Sequence, residues 1–261
     1  MSALLTGKTA IVSGVGPGLG KEIALAFARE GADVALGART ESYLKEVRAE
    51  IEGMGRRATH AVTDITKVDD CERLVRTALD DLGRVDVLVH NAFASDVFQP
   101  FADVDLAHWR RIMDVNLFGS LQLTHAVIPT MKAQGRGSIV FVNSMIIRKV
   151  LPLQGGYATS KAALLTAAQA LAKELGPHGI RVNSIVPGWM WGPSVEMYFD
   201  MMKSQTGKSP EESYAEVAAQ IPLGEIPADD ECANAAVFFA SDLSAVITGQ
   251  SLDVNGGEIF H

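Results

Sequence analysis

Tyr157 and Lys161 stand four residues apart in Tyr157-Ala158-Thr159-Ser160-Lys161. The surrounding run has helical apolar spacing, and positions i and i+4 share one face of a helix. A phenol and an ammonium would then be neighbours. A tyrosine hydroxyl has an unperturbed pKa of about 10 and is a poor base at neutral pH. A nearby ammonium favours the phenolate and lowers that pKa. Such a pair suits proton transfer to or from an alcohol or ketone oxygen. Alone, the spacing is common, and a packed tyrosine beside a surface lysine would also produce it.

A second feature lies near the N-terminus. Ser13-Gly14-Val15-Gly16-Pro17-Gly18-Leu19-Gly20 joins a β-branched run to a helical pattern. Glycines at 14, 18 and 20 allow a sharp turn whose backbone can approach a pyrophosphate. The helix beyond it offers free N–H groups and a positive dipole end. A glycine-rich turn is weak evidence alone, but a strand before it and a helix after it point to a dinucleotide site. The end of the second strand, Gly37-Ala38-Arg39-Thr40, would meet the adenosine ribose. An acidic residue there suits the 2′-hydroxyl of NAD, and an arginine accommodates the 2′-phosphate of NADP. Ala38 is not acidic, and Arg39 carries a guanidinium fork matched to phosphate. NADP(H) is therefore favoured and NAD(H) is the alternative. A solvated surface charge is the bland reading of Arg39.

Short apolar runs alternate with longer helical patterns along the chain. Strands are expected at 8–13, 33–37, 58–62, 85–90, 137–143, 180–186 and 251–254. Helices are expected at 19–30, 41–54, 69–82, 106–132 and 157–175. This alternation predicts βαβ units and a parallel sheet buried on both faces. The expected fold is one α/β domain over 1–261. It is a doubly wound parallel sheet of about seven strands with helices on both faces. The stretch of about 188–227, rich in Trp, Met, Gly and Pro, is expected to lie over the ligand crevice as a lid.

Of 261 residues, 48% are hydrophobic and 21% charged, as in soluble globular chains. Lys plus Arg is 23 and Asp plus Glu is 31, for a net charge of −8. Nucleic acid and anionic membrane surfaces are not expected partners. Cys71 and Cys232 show no ligand-like spacing, so neither a metal site nor a disulfide framework is expected. No apolar run reaches about 18 residues, and the first residues lack a signal-peptide pattern. A cytoplasmic location is expected.

The turn has the spacing of the T-G-x-x-x-G-x-G motif and resembles that of the short-chain dehydrogenase/reductase family, with Ser13 in place of threonine. Other motifs resemble the same family in order. Asp64-Ile65 is similar to its adenine-contacting site. His90-Asn91-Ala92-Phe93 is similar to its N-N-A-G. Ser144, 13 residues before Tyr157, and the Y-x-x-x-K itself match its catalytic spacing. Pro187-Gly188 matches its P-G. The resemblance runs from Ser13 to Gly257 and implies a Rossmann-like fold. It implies a catalytic set of Asn116, Ser144, Tyr157 and Lys161, with Asn116 in a distorted helix. It implies cofactor contacts from Gly14, Gly16, Pro17, Gly18, Leu19, Gly20, Arg39, Asp64, Ile65, Asn91, Ala92, Tyr157, Lys161, Pro187, Gly188 and Met190. It also implies a homo-oligomer, a tetramer or dimer.

Two departures stand out. Phe93 occupies a position usually held by glycine, and it is expected to line the substrate cleft. Gly192 stands where the family often has a threonine that contacts the nicotinamide carboxamide, which leaves that contact unassigned. Phe93, Met145, Ile146, Leu153, Gln154, Trp189, Trp191 and Tyr198 are the expected substrate wall. Their apolar character suits a secondary alcohol or ketone on a hydrophobic, steroid-like or cyclic skeleton. The same residues would serve equally to pack the lid onto the body or onto another subunit. A non-catalytic dinucleotide-binding regulator, or an enzyme of another reaction type on the same fold, are the competing functions.

Overall fold

The computed structural model describes residues 3–260, the side chains of 204–206 aside. Its strands are β1 (Thr9–Ser13), β2 (Asp33–Ala38), β3 (Ala58–Val62), β4 (Val87–His90), β5 (Gly137–Val142), β6 (Ile180–Pro187) and β7 (Ser251–Val254). They form one parallel sheet in the order β3-β2-β1-β4-β5-β6-β7. The chain winds outward from β1 in one direction and then resumes from β4 in the other. The two halves diverge beyond the carboxyl ends of β1 and β4, and a crevice opens there.

Alternation along each strand divides the core in two. Ala10, Val12, Val34, Leu36, Val87, Val89, Val140 and Val142 face one layer. That layer is built by α1 (Leu19–Arg29), α2 (Glu41–Gly53) and α9 (Asp229–Ala240). Ile11, Ala35, Leu88, Ile139, Phe141, Ile180 and Val182 face the other. It is built by α3 (Val68–Leu82), α5 (Ser120–Gln134) and α6 (Gly155–Leu175). Continuous apolar strands are thus buried on both faces, as the sequence predicts.

The helix expected over 106–132 is not continuous. It divides into α4 (Leu106–Met113), a π-helical turn over Asp114–Gly119, and α5. The wider turn carries the fully buried Asn116, and its end fits tightly on β3's exit loop. A Cβ on Gly119 would lie 2.8 Å from Ile65 Cγ1. Helix α6 begins at Gly155 rather than at Tyr157. Between β6 and α9 the chain forms α7 (Pro193–Thr206) and α8 (Pro210–Ala218). This excursion has its own small core of Phe199, Ala218, Ile221 and Ile226, with Trp189, Trp191, Tyr198 and Tyr214 packed against it. Among the described residues no helix is long and apolar enough to cross a membrane.

Candidate active site

A cleft of about 700 Å³ runs along the carboxyl edge of the sheet. Its floor is the glycine-rich turn. Gly14 and Gly18 have φ of 86° and 103°, in the region that favours glycine. A Cβ on Gly14 would overlap the backbone of Ala92, and one on Gly20 would overlap Gly14 O. This close approach is held by Asn91, whose backbone N–H donates to Ser13 O at 2.9 Å and whose Nδ2 donates to Gly14 O at 2.8 Å. Gly18 precedes α1 and supplies no side-chain cap. The first N–H groups of α1 therefore face the cleft as an anion site. Glycines that a Cβ would jam and an uncapped helix end fit a dinucleotide.

The expected cofactor contacts gather on this cleft. Gly14, Gly16, Pro17, Leu19 and Gly20 line it, as do Arg39, Asp64, Ile65, Asn91 and Ala92. Pro187, Gly188 and Met190 line its other end. Gly18 faces the same place from behind Asp229. Arg39 is exposed and has no ion-pair partner among the described residues. Asp64 accepts from Thr66 Oγ1 at 2.7 Å and Thr66 N at 3.0 Å. These bonds, with the charges of Lys67 and Arg39, hold its carboxyl below the usual range.

Tyr157, Lys161 and Ser144 meet in the middle of the cleft. Ser144 follows β5 and caps a short 3₁₀ turn over Met145–Ile147, accepting from Ile146 N at 3.3 Å. Lys161 is buried, and its Nζ donates to Val142 O at 2.8 Å and lies 5.7 Å from the Tyr157 ring centroid. Burial pushes the lysine down to about 7. It pushes the Tyr157 phenol up to about 12, against an opposing hydrogen bond with the Ser144 side chain. The expected lowering of the tyrosine by the lysine is therefore not what the free chain has. Desolvation outweighs the neighbouring amine, which is itself depressed and holds little charge above neutrality.

Asn116 does not reach into the cleft. Its Oδ1 accepts from Ala94 N at 2.7 Å, and its Nδ2 donates to Ala94 O at 3.0 Å and to Ser160 Oγ at 2.9 Å. It ties the loop after β4 to the helix carrying Tyr157 and Lys161. His90 is a neutral core residue: it stacks on Phe141 at 4.7 Å, contacts Thr124 Oγ1, and burial lowers it to about 3.

The substrate side differs from expectation. Phe93 lines the cleft, exposed, with its ring 6.2 Å from that of Tyr157. Met145 and Ile146 are buried behind Ser144, and Gln154 sits at the start of α6. Leu153 is exposed at a φ of 67°. Trp189, Trp191 and Tyr198 pack into the excursion's own core. Their rings join Phe199 and Tyr214, because aromatic burial against one another removes more apolar surface than an open cleft would. Phe93, Val97 and Phe98 remain exposed on the loop after β4, and Met197 on α7.

Three contributors to the site carry no local sequence signal. Asp96, buried, accepts from Tyr157 N at 3.0 Å. Val115, on the π-helical turn, lines the cleft. Asp229 lines it from the start of α9, and a Cβ on Gly192 would overlap its carboxylate. The volume left by the absent threonine side chain is therefore already filled by Asp229. Among the described residues no cluster of His, Cys, Asp or Glu could hold a metal ion.

A family model described as enoyl-(acyl carrier protein) reductase matches residues 14–258. The chain is 34% identical over 254 residues to 3-oxoacyl-(acyl-carrier-protein) reductase of Thermotoga maritima, covering 97% of this chain and 98% of that one. It is 35% identical over 256 residues to L-rhamnose 1-dehydrogenase (NAD(P)(+)) of a Sphingomonas species, covering 97% of each. A solved 7α-hydroxysteroid dehydrogenase, complexed with NADH and 7-oxo glycochenodeoxycholic acid, is 34% identical, with a TM-score of 0.88 over 98% of this chain and 96% of that one. A fold, a motif order and a whole-length likeness that all agree leave one conclusion: the chain belongs to the short-chain dehydrogenase/reductase family and is an NAD(P)-dependent oxidoreductase.

Proposed function

We propose that the enzyme exchanges hydride between NADP(H), in preference to NAD(H), and a secondary alcohol or ketone on a hydrophobic skeleton. The observation that carries this reading is the single cleft in which the glycine turn and Tyr157, Ser144 and Lys161 lie together. When bound, the nicotinamide supplies or accepts the hydride. Everything else falls to the chain. The uncapped start of α1 holds the pyrophosphate. Arg39, in no ion pair among the described residues, takes the 2′-phosphate. Pro187, Gly188 and Met190 bound the nicotinamide end of the cleft.

Ser144 and Tyr157 hold the substrate oxygen between two hydroxyls. In the free chain the phenol, pushed up to about 12, keeps its proton across the neutral range. That is the form needed to protonate a carbonyl oxygen as hydride arrives at its carbon. Lys161, pushed down to about 7, sits at the operating pH and can replace the proton that Tyr157 gives up. Asn116 and Asp96 fix the loop after β4 and the start of α6 against each other. Oxidation of an alcohol runs the same path in reverse. The segment of about 188–227 acts as a lid over the cleft.

The exposed apolar residues Phe93, Val97, Phe98 and Met197 support a hydrophobic substrate. Of these Phe93 lines the cleft beside Tyr157, and an apolar ring next to polar catalytic groups fits a hydrophobic skeleton. The test is a panel of hydroxysteroids, acyl thioesters and polyols, followed by the absorbance of reduced nicotinamide. Turnover with the hydrophobic ketones or alcohols is expected, with one nicotinamide oxidised or reduced per product. Activity confined to polyols would overturn the substrate class. Product without net nicotinamide change would favour the reading as another reaction type.

A further inference from the structure

Asp229 is the first residue of α9, and its backbone N–H donates to Trp191 O at 3.1 Å. Its carboxylate lies between two glycines of the cleft. A Cβ on Gly192 would overlap it, and one on Gly18 would sit 3.0 Å from Oδ2. Gly18 is the residue before α1, so the carboxylate stands at the helix end that offers an anion site. The residue is 9% exposed. Among the described residues no side chain or backbone N–H donates to its carboxylate, and no cation pairs with it. The charged groups that face it are all acidic: Glu22 from α1, Glu196 from α7 and Asp230 from α9 itself. Burial first, then these charges, push it up to about 6.

Its side chain fills the space beside Gly192, but capping of the helix does not need its charge. The start of α9 is capped by Glu231, whose Oε2 accepts from Ala228 N at 3.1 Å. The carboxylate opens on the cleft and has only cleft solvent to complete it, and a ligand bound there would take that solvent's place. The ligand that the adjoining helix end suits is itself an anion. Two anions brought together in one cleft repel, and the one with an accessible proton equilibrium takes up a proton.

We propose that Asp229 makes dinucleotide binding proton-linked: the pyrophosphate binds with Asp229 protonated, and its neutral carboxyl donates a hydrogen bond to a phosphate oxygen. The proposal rests on the dinucleotide reading above. Above about pH 6 binding takes up to one proton from solvent onto the Asp229 carboxylate for each cofactor bound, and no other bond is made or broken. Below about pH 6 the carboxyl is already neutral and affinity is at its maximum. Above that, affinity falls by up to about tenfold per pH unit until the bound-state carboxyl also ionises.

The test is titration of NADH, whose phosphates keep their charge through this range, into wild type and Asp229→Asn. From about pH 6 to about pH 8 the wild-type Kd is expected to rise roughly ten- to hundredfold. Asp229→Asn keeps a donor without a charge, and its Kd should be flat and tighter than wild type at the upper end. Calorimetry in buffers of different ionisation enthalpy should show proton uptake near neutrality in the wild type beyond what Asp229→Asn shows, which separates Asp229 from Lys161, itself at about 7 in the same cleft. A flat wild-type profile without proton uptake overturns the proposal and leaves the dinucleotide reading standing. So does Asp229→Asn binding more weakly than wild type at high pH, which would make the ionised carboxylate an acceptor for the cofactor. Failure of both NADH and NADPH to bind at any pH overturns the dinucleotide reading, and the proposal with it.

Discussion

The backbone N–H of Tyr157 donates to Asp96 Oδ2 at 3.0 Å across 61 positions of chain. Asp96 thereby caps the first turn of α6 from a distant loop. The adjoining glycines make room for it. A Cβ on Gly156 would lie 3.1 Å from Asp96 Oδ2 and 2.8 Å from Trp109 Cδ1. The other carboxylate oxygen accepts from Val97 N at 3.0 Å, which ties the loop bearing Phe93 to the same point.

Asp96 is accordingly a positioning residue for the phenol. Asp96→Ala removes a cap worth about 0.5–2 kcal/mol and frays the turn that aims Tyr157. We expect kcat to fall about tenfold with the cofactor Kd unchanged, since near-attack geometry is lost and not cofactor contact. Asp96→Asn keeps an acceptor and should recover most of the rate. Steady-state kinetics and a cofactor titration on both variants check this, and equal losses in the two variants would point to the charge instead of the cap.

Lys161 is a buried amine held at a cost in stability. Its pKa is lowered to about 7 in the fold, so the unfolded chain binds more protons between there and its ordinary value. The penalty is complete below pH 7 and is relieved as pH rises through that window. Lys161→Met should stabilise the protein by roughly 3–5 kcal/mol near pH 6 and by clearly less near pH 9, while abolishing turnover. Denaturant unfolding at the two pH values measures it.

Much of this was legible in the sequence, and the remainder was hidden for identifiable reasons. Apolar runs located the strands to within two residues, because strands buried on both faces have little freedom in composition. The break at Asp114–Gly119 left only Asn116 as a trace, since a π turn keeps helical spacing on either side. Trp189, Trp191 and Tyr198 read as cleft wall because composition shows that aromatics bury and does not show against what. The pKa of Tyr157 was expected from one neighbour, whereas in the fold desolvation dominates. Asp96 and Asp229 act across long loops, and no local spacing marks them.

The proposed preference for NADP(H) rests on Arg39. Arg39→Ala should weaken NADP(H) binding about ten- to hundredfold, the worth of charge-assisted hydrogen bonds to a phosphate, and leave NAD(H) within about twofold. Paired titrations of both cofactors into both proteins measure this, and an unchanged NADP(H) affinity would return Arg39 to the solvated surface.

The central claim is that Tyr157 carries the proton to and from the substrate oxygen. Tyr157→Phe removes one hydroxyl and keeps the ring that packs 6.2 Å from Phe93. The decisive measurement is single-turnover hydride transfer by this variant, alongside its cofactor affinity. The account predicts wild-type cofactor binding with turnover reduced at least about a hundredfold. Hydride transfer at near wild-type rate would contradict it.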